Sequence, residues 1–556
     1  MNKPWLESYS SEVPHNIDTN KYQSVAEIFR EAINAHPQGV AFSNFSKNLT
    51  FSDLDQQSAR MSAYLQSMLG LNKGDKIAIM LPNILQYPIT LFAAHRAGLI
   101  VVNVDPMYTS RELKHQLNDA EVKALLFLEN FADVVESVLP ETKVEHVLMT
   151  RVGDCLGFPK SILINLVLKY VKKMIPKHDL HNSPSFLDAL SKGAQKIKTG
   201  FEGVDVDLQQ EDVAFLQYTG GTTGVSKGAI LTHGNITANV AQAQAWINPA
   251  LEVGEERMIT ALPLYHIFSL TANCLYIMSI GGENILITNP RDFSGFVKIL
   301  QKEKFSCITG VNTLLRKLLD TTGFDQIDFS NIKFTFAGGM SVTTDVADEW
   351  QKRTGCAITE AYGLTETSPA ACINPMDLNE FNGMIGLPIS STLIKIIDKN
   401  ENDVGINAPG ELCIKGPQVT PGYWKLPELK KSSFTKDDYF KTGDVAQMNE
   451  KGYIKLLDRI KDMILVSGFN VYPNELDAVL SDHPKILEAA VLGVDDETMG
   501  QAVKAFIVKS DSSLTEEEVR SYCKENLTGY KRPKVIEFIA ELPKSNVGKI
   551  LRKELK

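Results

Sequence analysis

The residues best suited to chemistry stand in one glycine-rich stretch, residues 218–229, with the sequence YTGGTTGVSKGA. Glycines let the backbone approach an anion, while hydroxyl groups, amides and a lysine supply hydrogen-bond donors and positive charge. The stretch therefore predicts a polyphosphate-binding loop with Lys227 as its cation. It departs from the common nucleotide loop GxxxxGK[ST], because Gly228 follows Lys227 and Gly224 lies three positions before it. The alternative is a flexible polar turn between domains.

Six further short clusters could complete a site with this loop. Three of them suit a nucleotide: the glycine pair of AGGM at 337–340, the aromatic ring, hydroxyls and carboxylate of YGLTET at 362–367, and the carboxylate of KTGD at 441–444. The others are the histidine of LPLYH at 262–266, the charged run DRIKD at 458–462 and the lysine of PKSNVGKI at 543–550. Each cluster is weak evidence alone, since such a histidine is more often an ordinary core residue. Their order and number strengthen the prediction.

The composition indicates a multidomain globular protein and argues against a nucleic-acid partner. A chain of 556 residues exceeds one hydrophobic core and should form two or three domains. The formal net charge of -10 disfavours general nucleic-acid binding. The seven cysteines are scattered singly, which predicts a reducing compartment without structural zinc. The first residues contain no apolar signal region, so we expect a cytoplasmic protein.

The elements that must position these clusters follow an α/β pattern. Strand-like runs at 76–81, 99–104, 124–128, 306–309 and 333–337 alternate with helix-like runs such as 84–97, which predicts sheets covered on both faces. Beyond about residue 385, short strands at 394–397, 411–414 and 453–457 predict a β-rich subdomain, and a compact α/β tail follows. The charged run marks the predicted boundary between a domain at 1–457 and one at 463–556.

Two segments raise the question of a membrane. Residues 261–282 carry no formal charge and are long enough to span a bilayer, but Pro263, His266 and Asn273 favour a buried helix beside an apolar pocket. Residues 160–177 contain five lysines and no acid. A helical projection places Asn165, Lys169, Lys172 and Lys173 on one face, as in a basic amphipathic helix on an anionic membrane. A helix packed on its own domain with a solvated lysine edge is the alternative.

Taken together, the motifs resemble those of the adenylate-forming enzymes, the family of acyl-CoA synthetases, luciferases and peptide-synthetase adenylation domains. The resemblance extends from about Phe51 to the last residues and rests on YTGGTTGVSKGA, LPLYH, AGGM, YGLTET, KTGD, DRIKDMILVSGFNVYP and PKSNVGKILRKEL. The segments ALPLYHIFSLT, LITNPRDF and ITGVNTL also resemble bacterial long-chain fatty acyl-CoA ligases. The resemblance implies a large N-terminal domain of covered α/β sheets with a small β-rich subdomain, joined by a hinge at 458–462 to a small mobile C-terminal α/β domain.

The resemblance also implies a reaction with ATP, Mg²⁺, a long-chain fatty acid and coenzyme A. ATP would convert the carboxylate to acyl-AMP, and the thiol of coenzyme A would then take the acyl group. Residues that would hold the β- and γ-phosphates are Thr219, Gly220, Gly221, Thr222, Thr223, Gly224 and Lys227. Glu366 would ligate Mg²⁺ with help from Thr219, and Thr365 would contact the α-phosphate. Residues that would surround adenine and ribose are Gly338, Gly339, Met340, Tyr362, Asp444 and Arg459.

By the same resemblance, Lys549 would bridge the fatty carboxylate and the α-phosphate during adenylation. Rotation of the small domain about Lys461 would then remove Lys549, and Gly468 would line the pantetheine channel. His266 would lie where the acyl chain and pantetheine meet. Leu270 occupies the position at which some long-chain ligases carry a gating tryptophan, so gating there is in doubt, and Trp246 receives no such role.

Several alternatives stay open at this stage. The acid could be medium-chain or aryl, or the product could be an acyl-AMP passed to a carrier protein. A luciferase-type oxygenase and a membrane-docked fatty-acid-binding or transport protein are also compatible with parts of the sequence. The sequence fixes neither the chain length of the acid nor the oligomeric state, and a homodimer is compatible with it.

Overall fold

The computed structural model describes residues 3–219, 226–496, 498–545 and 548–555. Its two largest sheets have parallel centres, as expected where helices connect successive strands. In spatial order, the described strands of the first sheet are Leu387–Pro388, Ala370–Ile373, Ile358–Gly363, Phe334–Ala337, Cys307–Gly310, Arg257–Thr260, Glu283–Leu286, Val40–Asn44 and Lys47–Thr50. Those of the second are His146–Thr150, Ala124–Leu128, Lys76–Met80, Ile100–Asn103, Val213–Thr219 and Lys227–Thr232.

Two smaller sheets follow along the chain. The first is antiparallel and consists, within the described residues, of Leu393–Ile397, Gly410–Lys415, Phe440–Met448 and Ile454–Arg459. The second belongs to the C-terminal part and contains Phe469–Val471, Ile464–Val466, Gly500–Lys509, Ile486–Asp496 and Val535–Phe538. The predicted α/β fold class with a β-rich subdomain and a small C-terminal domain is confirmed.

Helices cover the two large sheets and one face of the C-terminal sheet. The described α-helices are Val25–Ala35, Phe51–Ser67, Gln86–Arg96, Ser110–Asp119, Ala132–Val138, Lys160–Leu166, Phe186–Lys198, His233–Ile247, Ile267–Ser269, Tyr276–Ser279, Phe293–Leu300, Asn312–Leu319, Thr344–Thr354, Pro427–Ser433, Pro473–Ser481 and Glu516–Asn526. One apolar cluster takes Phe42 and Leu286 from the first large sheet and Val101 and Phe215 from the second, so the two sheets share a core.

The uncharged segment at 261–282 is buried, but only its second part is helical. Residues before Ile267 form a loop, and a π-helical stretch, Leu270–Leu275, separates two short α-helices. Leu270 is fully buried. In the described part of the chain, no helix is both long and apolar enough to cross a membrane. The prediction of a buried element is right, and the prediction of one continuous helix is wrong for its first residues.

The lysine-rich segment is arranged differently from the helical projection. It forms the helix Lys160–Leu166 and a π-helical turn, Val167–Val171. Asn165 does not lie on the solvated lysine edge: its side chain accepts a hydrogen bond from Gly153 N at 2.9 Å and donates one to Asp154 at 3.2 Å. An ideal helical projection fails here because it ignores which side packs on the domain, and because the π-turn changes the angular spacing.

Candidate active site

The predicted phosphate loop connects two antiparallel strands. Val213–Thr219 and Lys227–Thr232 pair so that Thr219 lies opposite Lys227, and both therefore stand at one end of this hairpin. Gly220, Gly221, Thr222, Thr223 and Gly224 lie outside the described residues. The loop thus differs from the strand-to-helix nucleotide loop in its supporting elements as well as in its spacing.

Three predicted nucleotide-binding residues meet around one buried carboxylate. Asp444 and Arg459 are directly opposite each other on paired strands, and Arg459 Nε lies 3.2 Å from Asp444 Oδ1. The hydroxyl of Tyr362 donates to Asp444 Oδ2 at 2.7 Å. Burial, followed by the charge of Asp444, raises the pKa of Tyr362, so its hydroxyl stays a donor. The carboxylate is therefore held in one orientation from two sides and can accept hydroxyl groups of a ribose.

The glycine pair lies on the same edge of the large sheet as Tyr362, because Phe334–Ala337 and Ile358–Gly363 are adjacent parallel strands. A Cβ atom on Gly338 would lie 2.8 Å from the carbonyl oxygen of Ala361, and Gly339 has a φ of +78°. Both positions therefore favour glycine. With Met340, they form a turn whose backbone a flat base could approach closely.

A buried carboxylate beneath this turn was not predicted from the sequence. Glu360 accepts a hydrogen bond from Val342 N at 2.9 Å, and burial raises its pKa to about 7. Its position in a strand two residues before Tyr362 gave no sign that its side chain reaches the turn. Glu360 thus places a titratable group at the backbone of Val342, two residues after Met340.

Glu366 has the geometry of a ligand for a hard cation. It lies in the short helical turn Thr365–Thr367, is 8% exposed, and accepts a hydrogen bond from the hydroxyl of Tyr423 at 2.7 Å. Burial raises the pKa of Glu366, and the Tyr423 hydrogen bond opposes the rise. Tyr423 was also missed, since only the folded chain brings it to Glu366.

The donor set around Glu366 fits Mg²⁺ held mainly through phosphates. Among the described residues, no group of three or more His, Cys, Asp or Glu side chains could hold a metal ion by itself. Mg²⁺ commonly uses one or two carboxylates together with substrate phosphates and water. A single buried carboxylate, with the Thr219 hydroxyl at the phosphate loop, is compatible with that mode.

Lys549 comes from the C-terminal domain and reaches the same site. Its Cε lies 3.8 Å from the Cβ position of Gly339. Burial and then Arg459 lower the pKa of Lys549, while Asp444 and Glu366 oppose the change. The ammonium is therefore within electrostatic reach of the groups predicted to bind ribose and Mg²⁺.

His266 lies within electrostatic reach of Lys549 and is held as a neutral ring. Burial and then the charge of Lys549 lower the pKa of His266 to about 4. Its Nδ1 accepts a hydrogen bond from Phe268 N at 3.3 Å. The structure therefore places His266 within electrostatic reach of Lys549, and among the described residues it has no ion-pair partner. The predicted role of His266 where the acyl chain and pantetheine meet stays a prediction.

Two predicted residues are exposed to solvent at the edge of this cluster or beyond it. Lys461 is exposed, and Gly468 occupies an exposed turn between Ile464–Val466 and Phe469–Val471 with a φ of +86°. A Cβ on Gly468 would meet no described atom within 4 Å, so in this arrangement it faces open space. Trp246 is buried and donates its Nε1–H to Asn374 O at 3.1 Å, as a core residue would.

Comparisons with known proteins agree with this arrangement. A family model described as AMP-binding enzyme matches residues 29–424, and one described as AMP-binding enzyme C-terminal domain matches residues 475–549. A long-chain-fatty-acid–CoA ligase of Escherichia coli O157:H7 is 50% identical over 556 residues, which cover 100% of this chain and 98% of that protein. A ligase of the same name from Haemophilus influenzae is 48% identical over 559 residues, with coverage of 100% and 98%.

A solved structure with ATP shows the same overall arrangement. ATP-bound MatB from Rhodopseudomonas palustris aligns with a TM-score of 0.82 and 25% identity over 95% of this chain and 98% of that chain. The apo structure of MatB aligns less closely, with a TM-score of 0.72 over the same shares. The described domain arrangement is thus nearer to the ATP-bound form of that protein than to its apo form.

Proposed function

The chain belongs to the AMP-binding enzymes, and from that premise we propose how its residues divide the two half-reactions between its domains. It is a long-chain fatty acid–CoA ligase: ATP converts the acid to acyl-AMP and pyrophosphate, and coenzyme A then takes the acyl group and releases AMP. The function predicted from the sequence is confirmed at this level. The division of roles rests on one observation, the position of Lys549 from the small domain. Its Cε lies 3.8 Å from the Cβ position of Gly339 in the large domain, and its ammonium is within electrostatic reach of Glu366 and Asp444.

In the first half-reaction, a fatty carboxylate must approach an α-phosphate that is also negative. The barrier is largely electrostatic, so fixed cations and donors are the means of lowering it. Lys549 supplies the positive charge between the two anions, and Thr365 contacts the α-phosphate. Glu366 and Thr219 hold Mg²⁺, which neutralises phosphate charge when bound. Thr219, Lys227 and the glycine-rich loop hold the leaving pyrophosphate.

The nucleotide itself stays on the large domain. Asp444 and Arg459 hold the ribose, and Tyr362 with the turn Gly338–Gly339–Met340 encloses adenine. Asp444 is suited to this because Tyr362 and Arg459 fix its orientation before the ligand arrives. A preorganised acceptor avoids the cost of ordering a side chain during binding.

In the second half-reaction, the small domain rotates so that a different face of it meets the active site. The proposed division is a large domain at 1–457, a hinge at 458–462 and a mobile domain at 463–556, with Lys461 as the pivot. Rotation withdraws Lys549 and brings the turn at Gly468 to the pantetheine of coenzyme A. The exposed position of Gly468 supports this, because a residue that acts in only one arrangement can face solvent in the other. His266, neutral and beside Lys549, lies where the thiol would enter.

A pyrophosphate-release assay with saturated fatty acids of increasing chain length, with and without coenzyme A, tests this function. We expect release that depends on a long-chain acid, followed by acyl-CoA when the thiol is present. Release without a thioester would instead favour an acyl-AMP ligase for a carrier protein. A preference for aryl or medium-chain acids would reassign the substrate, and no release with any acid would favour a binding protein.

We also propose that residues 160–177, with the adjacent Phe158, contact an anionic membrane from one side. Large apolar side chains are exposed here, with Phe158 at 87%, Tyr170 at 66% and Val171 at 71%. Five lysines lie within the same segment. Exposed apolar side chains beside cations are the composition of a peripheral membrane contact. Ile164 and Leu168 pack on the core at the same time, which keeps the segment attached to its domain.

Flotation of the protein with anionic and with neutral vesicles tests this contact. We expect binding to anionic vesicles only, reduced by Phe158→Ser and by Lys172→Glu. Leu187→Ser, an exposed apolar residue outside the segment, is the matched control. Equal recovery of all variants, or no flotation, would contradict the proposal. Light scattering of the purified protein without vesicles decides whether the chain forms a homodimer.

A further inference from the structure

A buried carboxylate links the two domains across the pivot. Asp458 lies in the strand Ile454–Arg459 of the β-rich subdomain and is 3% exposed. Its Oδ1 accepts a hydrogen bond from the backbone N–H of Arg459 at 2.7 Å. Its Oδ2 accepts one from the backbone N–H of Asn474 at 2.6 Å. Asn474 belongs to the small domain, so a side chain at the first position of the hinge, in the last strand of the β-rich subdomain, reaches an element beyond the hinge.

The element that Asp458 reaches is the uncapped start of a helix. Among described atoms, the residue before helix Pro473–Ser481, Tyr472, makes no side-chain cap hydrogen bond. Pro473 has no backbone N–H, so Asn474 offers the first free donor of the helix. A carboxylate at this position satisfies that donor and interacts favourably with the positive end of the helix dipole. Asp458 therefore acts as the N-terminal cap of a helix in the other domain.

The same helix start anchors the segment that carries Lys549. Arg552, three residues after Lys549, donates from Nη2 to Asn474 Oδ1 at 2.8 Å and pairs with Asp477. Its Nε also donates to Val491 O at 3.1 Å. Arg552 thus fixes the end of the lysine-bearing hairpin to the helix that Asp458 caps.

The hairpin itself is closed by its own hydrogen bonds. Leu551 N donates to Pro543 O at 2.8 Å, and Lys549 N donates to the hydroxyl of Ser545 at 3.1 Å. A shift of the helix is therefore transmitted through Arg552 to Lys549. The connected groups, in order, are Asp458, Asn474, Arg552 and Lys549.

We propose that Asp458 is a positioning residue for adenylation, which holds the small domain in the arrangement that places Lys549 in the site. Asp458 precedes the pivot Lys461 and Asn474 follows it, so a large rotation there must break their hydrogen bond. The contact thus stabilises the adenylation arrangement selectively. This inference rests on the proposed rotation and adds to it the group that biases the two arrangements.

Half-reaction assays on Asp458→Ala and Asp458→Asn test the inference. A hydrogen bond to a charged group corresponds to about a tenfold or larger change in an equilibrium. We therefore expect the ratio of the two arrangements to shift about tenfold in Asp458→Ala, which lowers adenylation by up to that factor. The fall should be smaller for Asp458→Asn, which keeps one acceptor oxygen. Thioester formation from supplied acyl-AMP should be unchanged or faster. Asp482→Asn, an exposed acid at the other end of the same helix, is the matched control.

Chemical acetylation of Lys549, followed by mass spectrometry on substrate-free protein, gives a readout independent of activity. Loss of the Asp458 contact should increase the acetylation rate of Lys549, and this increase multiplied by the fall in adenylation should be about tenfold. No change in this rate would overturn the inference, as would equal losses in both half-reactions together with a lower melting temperature. Half-reaction assays on a Lys549→Ala variant distinguish a failure of the proposed division of roles from a failure of the Asp458 proposal. Equal losses in both half-reactions for that variant would refute the proposed division of roles, whereas the acetylation rate still decides the role of Asp458.

Discussion

Removing the ammonium group of Lys549 should separate the two half-reactions. In the described arrangement Lys549 is half-buried, beside the glycine turn at Gly339 and within electrostatic reach of Arg459, Asp444 and Glu366. The substrates add a carboxylate and a polyphosphate to two carboxylates that are already present. Lys549→Ala therefore removes a positive charge where negative charge is most concentrated.

The size of the effect follows from the distance and the burial. Two unit charges about 4 Å apart interact by about 4 kcal/mol at an effective dielectric constant of about 20. Because Lys549 is only half-buried, water recovers part of this, which leaves about 3 kcal/mol. That energy corresponds to a loss of about 10²-fold in the rate of adenylation, similar to the loss of one oxyanion-hole donor.

The assay compares pyrophosphate release from ATP and fatty acid with acyl-CoA formation from synthetic acyl-AMP. We expect the first rate to fall by about 10²-fold or more and the second to stay near that of the unmodified enzyme. Lys544→Ala is the control, since that lysine lies on the same hairpin but pairs with Glu488 within the small domain. Equal losses in both assays would refute the reasoning, because a residue withdrawn before the second step cannot slow it.

Three other predictions concern the metal, the pH and the pantetheine channel. Tyr423→Phe removes the hydroxyl that donates to Glu366 at 2.7 Å. In a Mg²⁺ titration, the concentration for half-maximal adenylation should therefore rise. An unchanged midpoint would contradict this prediction. Burial lowers the pKa of His95 far below its ordinary value and that of His233 to about 4, so between pH 6.5 and 4 the unfolded chain binds protons that the folded chain does not. The free energy of unfolding should therefore fall on acidification by about 1.4 kcal/mol per pH unit for each ring. His95→Leu should remove one such contribution and so reduce the difference between the urea midpoints at pH 7 and pH 5. If that difference were the same in the variant as in the unmodified chain, the reasoning would be wrong. Gly468→Leu places a side chain on a backbone with a φ of +86°, at a strain of about 1–2 kcal/mol. The variant should slow thioester formation and spare adenylation. If both half-reactions kept the rates of the unmodified enzyme, Gly468 would have no role in the channel.

The sequence predicted groups that lie within short contiguous motifs. Asp444 and Arg459 were each identified from a motif of four or five residues, and the structure pairs them across adjacent strands. The α/β fold class was also predictable, because the hydrophobic periods of strands and helices are local properties. Lys549 could be identified as a candidate catalytic lysine, although only the folded chain shows it beside Gly339.

The parts that escaped prediction depend on contacts between distant segments. Tyr423 supports Glu366 from 57 positions away, and nothing in its own neighbourhood indicates that role. Glu360 is read from the sequence as an ordinary strand residue, yet its carboxylate reaches the backbone of Val342. Asn165 was assigned to the lysine face because a regular helical projection contains no information about the packed side or about a π-turn.

The origin of Lys549 in the second domain imposes an order on the substrates. Under the proposed domain rotation, its hairpin occupies the glycine-rich edge of the site during adenylation, and the thiol reaches the reacting carbon only after that hairpin withdraws. We expect the acid and ATP to bind first, pyrophosphate to leave, and coenzyme A to bind last, which is the pattern of a ping-pong reaction. One binding site thus serves adenylation and thiol transfer in succession, because the two steps occur at different times. The reactive acyl-adenylate therefore meets the thiol only after Lys549 has left the site.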